Sequence, residues 1–282
     1  MGSIVCRYGE IALKGRNRGI FEAKLVENMN KALSREGLFA DIKKIRGRIF
    51  VYADDVEKTT ACLQKVIGLV SVSPAVGCSS DPETIKKAAF DLVKDKDFDT
   101  FRVTTRRSSK DFPMTSNEMD IDLGALIADD LQKKVSLKGF DLNVEIEIHD
   151  SAFIFTERFD CPGGIPVGMS GKVLCYIEKE TDLLAAWLMM KRGCRIYLAG
   201  KERPDFGWLK SYYPDIDFIL IDIIDDLDEV AEKNGCMAVI FGDSIEELEK
   251  DQKKISSDLL KLHPLLIYDK RQASEKLKKL KD

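Results

Sequence analysis

The sequence predicts an α/β protein in three parts: a ferredoxin-like unit, a second α/β unit, and a doubly wound, Rossmann-like parallel sheet. Three observations predict it. The first 55 residues run strand, helix, strand, strand; the middle mixes amphipathic helices with strands of period-two patterning; and beyond a Gly- and Pro-rich segment at 161–171 short apolar runs alternate with helical ones. With 282 residues and 44% hydrophobic content the chain can fill several small cores.

Taken in order, residues 3–8 form a strand, and Phe21, Leu25, Met29 and Leu33 fall at helical spacing over 18–36, closed by Gly37. Strands at 42–45 and 48–53 break at Gly47, completing the first half of a ferredoxin-like arrangement. A helix over 56–67 stops at Gly68, before a β-branched run at 69–76. Asp81 caps a helix over 82–94 that has Pro82 in its first turn, and a strand follows at 100–105. Ser116 then caps a helix whose apolar face is Met119, Leu123, Leu126, Ile127 and Leu131. The run 142–148 alternates Val144, Ile146 and Ile148 with Glu145 and Glu147, and 152–156 is its partner strand. Past the linker the expected elements are 173–177, 183–191, 195–198, 218–223, 227–234, 238–241 and a helix over 245–262. The domains expected from this punctuation are 1–55, 56–165 and 166–282.

Composition narrows the function. No apolar run approaches the roughly 20 residues that cross a bilayer, and the chain opens on a strand instead of a signal segment, so a cytoplasmic protein without membrane contact is expected. Seven cysteines without a CxxC pair suggest buried or incidental thiols, neither a disulfide framework nor a metal site. The net charge of −4 says nothing of nucleic acid, but its distribution does: cations dominate 7–24 and 43–48, acids dominate 215–232 and 243–251.

Two constellations suit a sugar–phosphate backbone. Arg7 through Arg18 delivers Lys14, Arg16 and Arg18 on a Gly-containing loop at a helix start, with Arg46 and Arg48 adding to them; Arg102, Arg106, Arg107 and Lys110 cluster before the helix at 116, with Phe112 either a base-stacking ring or core. Lys172 follows the glycines of the linker. A nucleotide P-loop is excluded there, because such a loop follows its strand and opens a helix, whereas here the strand comes after the glycines. The only two histidines, His149 and His263, stand in no triad motif, and no residue is assigned a catalytic role.

Four segments, Arg-Tyr-Gly-Glu-Ile-Ala-Leu-Lys-Gly at 7–15, Phe-Pro-Met-Thr-Ser-Asn-Glu at 112–118, Pro-Gly-Gly-Ile-Pro-Val-Gly-Met-Ser-Gly-Lys-Val at 162–173 and Ala-Ala-Trp-Leu-Met-Met-Lys-Arg-Gly at 185–193, occur in one order. In that order they resemble the tRNA sulfurtransferase family, which makes 4-thiouridine and serves thiamine synthesis. The resemblance implies an N-terminal ferredoxin-like domain, a THUMP domain gripping tRNA, and a PP-loop domain that adenylates uridine with ATP and magnesium.

The sequence also departs from that family. Where the family carries Ser-Gly-Gly-Ile-Asp-Ser-Pro-Val, this chain has Ile177, Glu178, Lys179, Glu180, Thr181, Asp182, Leu183 and Leu184. Both glycines are gone, and Glu178 and Glu180 set carboxylates against an incoming pyrophosphate. After Gly242 the nucleotide-holding glutamines give way to Glu247 and Asp251, and the family's sulfur-carrying cysteine has no counterpart before Asp282. The expectation is a tRNA-binding family member with a vestigial ATP site at 177–184, Gly242 and Asp251. Two alternatives stay open: a uracil 4-sulfurtransferase that works with unusual residues and so needs ATP and magnesium, or an adaptor presenting tRNA to another modifying enzyme. A separate sulfur donor and a second copy of the chain are further partners these readings admit.

Overall fold

The computed structural model describes residues 2–45, 47–108, 111–250 and 259–281. By the density of its contacts the chain divides into two units, one of Met1–Arg7, Leu38–Ala61 and Ser71–Asp160, the other of Tyr8–Gly37, Cys62–Val70 and Cys161–Asp282.

The expected elements come in order, with the short strands β6 and β9 added to them: β1 (Gly2–Tyr8), α1 (Arg18–Arg35), β2 (Ala40–Ile45), β3 (Arg48–Ala53), α2 (Val56–Leu63), β4 (Leu69–Ser79), α3 (Pro82–Val93), β5 (Thr100–Arg107), α4 (Ser116–Leu131), β6 (Lys134–Val135), β7 (Leu142–Ile148), β8 (Ser151–Phe155) and β9 (Phe159–Asp160). One nine-stranded sheet in the order β2-β3-β1-β4-β8-β7-β5-β6, with β9 on β4, runs through the first unit. Its first four strands have the ferredoxin-like order.

Strand β4 belongs to both halves of that sheet. It meets β9 at Ser71 and Val72 and β8 from Val76 to Ser79, with Pro74 between these two pairings. The sheet curls about it. Phe50 of β3 and Phe153 of β8 stand three strands apart, which in a flat sheet is about 14 Å, yet their rings stack at 4.2 Å. Val5, Phe50, Phe153 and Phe155 close that inner face as a small core. On the other face, Ile85, Ala89 and Val93 of α3 and Met119, Leu123 and Ile127 of α4 pack with Phe101, Val103, Val144 and Ile146.

Two details differ from expectation. Helix α2 stops at Leu63 and the chain continues as tight turns, which buries Val66 and Ile67 instead of extending the helical stripe. The cap of α4 is Thr115: it has extended backbone angles, its hydroxyl accepts from the Glu118 N–H, and the Glu118 carboxylate accepts from the Thr115 N–H at 2.6 Å. The capping box outcompetes Ser116, which is helical. Thr115→Ala should cost about 1 kcal/mol in chemical denaturation, and an unchanged midpoint would return the cap to Ser116.

The second unit adds β10 (Lys172–Tyr176), α5 (Asp182–Lys191), β11 (Arg195–Gly200), β12 (Asp217–Leu220), α6 (Leu227–Lys233), β13 (Ala238–Ile240), α7 (Ile245–Lys250), β14 (Leu260–Leu262) and α8 (Lys270–Lys281). All pairings in its sheet are parallel, in the order β12-β11-β10-β13-β14. Helix α5 is apolar on every side and accordingly buried, with Leu183, Leu184, Ala186 and Met190 at 0% exposure. The expected helix over 245–262 is corrected at its far end: α7 is described over Ile245–Lys250, 251–258 lie outside the described residues, and Leu260–Leu262 is a strand paired in parallel with Ala238–Ile240. The strand expected at 218–223 is likewise shorter, ending at Leu220. No described helix is long and apolar enough to cross a membrane.

Candidate nucleic-acid interface and switch-point loops

Strand register gathers cations that lie far apart in sequence. Lys43 pairs with Phe50, Phe50 with Val5, and Arg106 with Glu147, which pairs with Phe153. Side chains alternate along strands, so Lys43, Arg48, Arg102 and Arg106 all share the face opposite α3 and α4. Lys43 is 59% exposed with its ammonium 5.2 Å from the Tyr52 ring, Arg102 lies over the Phe140 ring at 4.9 Å, and Arg106 is exposed. Arg158, which sequence reasoning missed, joins this group, its Nε donating to Ser71 Oγ.

Arg7 is a correction to the sequence reading. Only 3% of it is exposed; its Nε donates to Glu147 Oε1 at 3.1 Å, its Nη1 to Ser73 Oγ at 3.0 Å, and the guanidinium covers the Phe155 ring. Arg48 holds the other oxygen of the same carboxylate at 2.8 Å. Burial alone raises the Glu147 carboxyl, but its cationic neighbours outweigh that and bring it down to about 2. We assign the pull to the two arginines, because His149 Nε2 stands 3.8 Å away, beyond hydrogen-bond reach. Arg7 therefore builds the curled sheet and does not face a ligand.

Arg107 sits on the other side of β5, with Nη1 3.4 Å from the Phe112 carbonyl, and Phe112 itself is core. Arg46 and Lys110 lie outside the described residues. In the second unit, Arg18 is engaged by Glu22 at 2.8 Å and by the Tyr8 hydroxyl, Lys14 lies near the Phe21 ring, and Arg16 is exposed. Lys172 donates to the Asn234 carbonyl at 3.2 Å.

The glycine-rich linker is a packing motif. Gly164 has φ +82°, and a Cβ on it would come 2.2 Å from the Lys191 carbonyl oxygen; the Ile165 N–H donates to that same oxygen. Its glycines allow the chain to lie against the end of α5.

In the parallel sheet the strand order reverses between β10 and β13, and ligands of such sheets sit outside the carboxyl ends at that point. The loop from Ile177 to Thr181 leaves β10 there, beside a cleft of about 580 Å³ lined by Tyr176 to Glu180 and Lys201 to Asp205. Ile177, Leu183 and Leu184 are buried. Asp182, 4% exposed, turns its carboxylate back on the loop: Oδ2 accepts from the Glu178 and Lys179 N–H groups, both at 2.9 Å. Burial pushes this carboxyl up to about 6 against those hydrogen bonds. Gly242 packs directly on it, since a Cβ at 242 would lie 2.1 Å from Asp182 Oδ1.

Ion pairs surround the loop. Lys179 Nζ reaches Glu247 Oε2 at 2.6 Å, Glu247 also accepts from the Ser244 N–H, and this brings its carboxyl down to about 2. Glu180 pairs with Lys281 of α8, and Glu178 accepts from the Tyr176 hydroxyl at 3.0 Å. Asp251 lies outside the described residues. His263 Nδ1 stands 3.1 Å from Asp243 Oδ2 and its ring stacks on Phe241, a pairing across 20 residues that sequence reasoning missed. Among the described residues no group of His, Cys, Asp and Glu could hold a metal ion, and burial holds the thiols of Cys62 and Cys236 near 11.

Comparison with known proteins gives these parts relatives. Residues 3–73 match the ThiI ferredoxin-like domain and residues 79–157 the THUMP domain. A probable tRNA sulfurtransferase of Moorella thermoacetica is 41% identical over 199 residues, 69% of this chain and 50% of the relative. One of Methanocaldococcus jannaschii is 35% identical over 251 residues, 82% of this chain and 66% of the relative. The chain thus spans about half to two thirds of the length of these curated relatives. PH1313 from Pyrococcus horikoshii Ot3 superposes with a TM-score of 0.84 at 28% identity over 99% of both chains. A 4-thiouridine synthetase, solved as an RNA complex with bound ATP, shares the fold with a TM-score of 0.82 at 22% identity, over 99% of this chain and 85% of that one.

Proposed function

The chain belongs to the tRNA sulfurtransferase family, and from that premise we propose that it is a tRNA-binding protein whose own ATP-dependent activation of uridine is impaired. The observation that carries the second half is the Asp182 carboxylate on the Glu178 and Lys179 N–H groups. Two of the loop's donors for a pyrophosphate are thereby already hydrogen-bonded to an anion of the protein itself. Glu178 and Glu180 add negative charge to the same loop, so the residues present do not fit ATP. The RNA-binding half is supported by the THUMP match and by Lys43, Arg48, Arg102, Arg106 and Arg158 in one unit. In this proposal 1–55 and 56–165 grip RNA, and 166–282 is a shortened PP-loop-like domain. The protein then acts upstream of, or beside, an enzyme that performs the chemistry.

Calorimetry with ATP and magnesium, with and without tRNA, tests it: no saturable ATP binding is expected in either case. Transfer RNA should bind with a log–log salt slope of about −3 or steeper, as several phosphate contacts require. A thiolated uridine, formed at multiple turnovers by the purified chain with tRNA, ATP, magnesium and a sulfur donor, would overturn the proposal.

A further inference from the structure

Five backbone donors of the β10–α5 loop and the first turn after it are engaged locally. The N–H groups of Glu178 and Lys179 donate to Asp182 Oδ2; those of Asp182, Leu183 and Leu184 donate to the carbonyls of Lys179, Glu180 and Thr181. One anionic oxygen held by two successive N–H groups is the arrangement in which a backbone nest holds a phosphate oxygen. The neighbouring turn is shaped round the same carboxylate, because the approach of Gly242 to Asp182 Oδ1 leaves no room for a side chain at 242.

We infer that Asp182 is a built-in occupant of the anion seat at the strand-order reversal, and that helix α8 holds the loop in this occupied state. The inference rests on the impaired-activation reading and deepens it: the seat is filled from within, in addition to being repelled by Glu178 and Glu180. Helix α8 is anchored by buried Ala273 and Leu277 and by the Tyr212 hydroxyl on the Leu280 carbonyl, and from there Lys281 pairs with Glu180. Its first residue, Lys270, stands 3.6 Å from Glu247, which in turn holds Lys179. Both ends of one helix thus fasten the two charged residues that flank the loop's turn.

This assigns separate effects to Glu178 and to Asp182. Two variants of the full chain separate them: Glu178→Gly, which keeps Asp182 and the Glu180–Lys281 pair, and Glu178→Gly with Asp182→Ser. Titrated with inorganic pyrophosphate, the first should bind no better than the parent protein, and the second at least about tenfold tighter, the scale of one charge-assisted hydrogen bond regained. Equal binding by the two variants would overturn the inference. Residue-resolved hydrogen exchange on the unaltered protein decides the matter even if the variants fold poorly. The Glu178 and Lys179 amides should exchange more than about tenfold slower than unprotected ones, as amides bonded to a charged acceptor do. Unprotected rates would overturn the inference whatever ATP does, whereas ATP bound by the unaltered protein with both amides still protected would refute only the impaired-activation reading.

Discussion

Glu147→Ala is expected to destabilise the first unit by about 3–5 kcal/mol, the cost of breaking a buried ion pair by removing one partner. The alanine would strand the Arg7 guanidinium, 3% exposed, between the two halves of a curled sheet, with Ser73 its remaining acceptor. Arg48, whose side chain is 25% exposed, can turn to water. The same carboxylate should dominate acid sensitivity. Its folded value of about 2 lies below its ordinary 4.5, so its contribution is fully present above 4.5 and is lost as the pH falls from there toward 2. Replacing both partners, Arg7→Met with Glu147→Leu, should recover much of the loss, because no buried charge is then left alone. Urea denaturation at pH 7 and pH 3 reads all of this. A loss below about 1 kcal/mol for Glu147→Ala at pH 7 would mean the pair behaves like a surface contact.

Reversing charge at Arg102 and Arg106 together, each to Glu, should weaken tRNA binding by about tenfold or more and lower its salt slope by about 2, one for each phosphate that is no longer neutralised. Arg107→Ala should leave affinity unchanged. The adjacent arginines part company because side chains alternate along β5: Arg106 pairs in register with Glu147 on the face opposite α3 and α4, whereas Arg107 turns to the Phe112 carbonyl. Fluorescence anisotropy on both variants separates them, with thermal melting to verify the fold. Equal effects from Arg102/Arg106 and Arg107 would show that the face is not the binding surface.

That pair also marks how far the sequence carried. The basic cluster at 102–107 was legible as a charge run, and so was the strand that bears it, but a run does not say which members point together until strand register is known. Arg7 misled for a related reason: an arginine in a basic segment looks solvated unless Glu147, 140 residues on, is known to lie beside it. Helix α1 could be read from four apolar residues at helical spacing. Helix α8 has the same signal in Ala273, Leu277 and Leu280, masked by the lysines between them. The glycines of the linker were visible, but their reason, the Lys191 carbonyl, depends on packing. At the strand-order reversal the absence of glycine from 177–184 was plain in the sequence. That Asp182 would turn back onto the loop was not, since Thr181 and Asp182 are equally plausible capping residues by type.

Strand β4 has a mechanical consequence. The ThiI ferredoxin-like match ends at residue 73 and the THUMP match begins at 79, both within the single strand Leu69–Ser79. Two modules that are counted separately in sequence are here joined by hydrogen-bonded ladder where a flexible linker would otherwise run, and a ladder cannot swivel without shedding its partners on both sides. Turning one match against the other through this strand would therefore mean breaking backbone pairings first, a cost that a stretch of free chain between them would not carry.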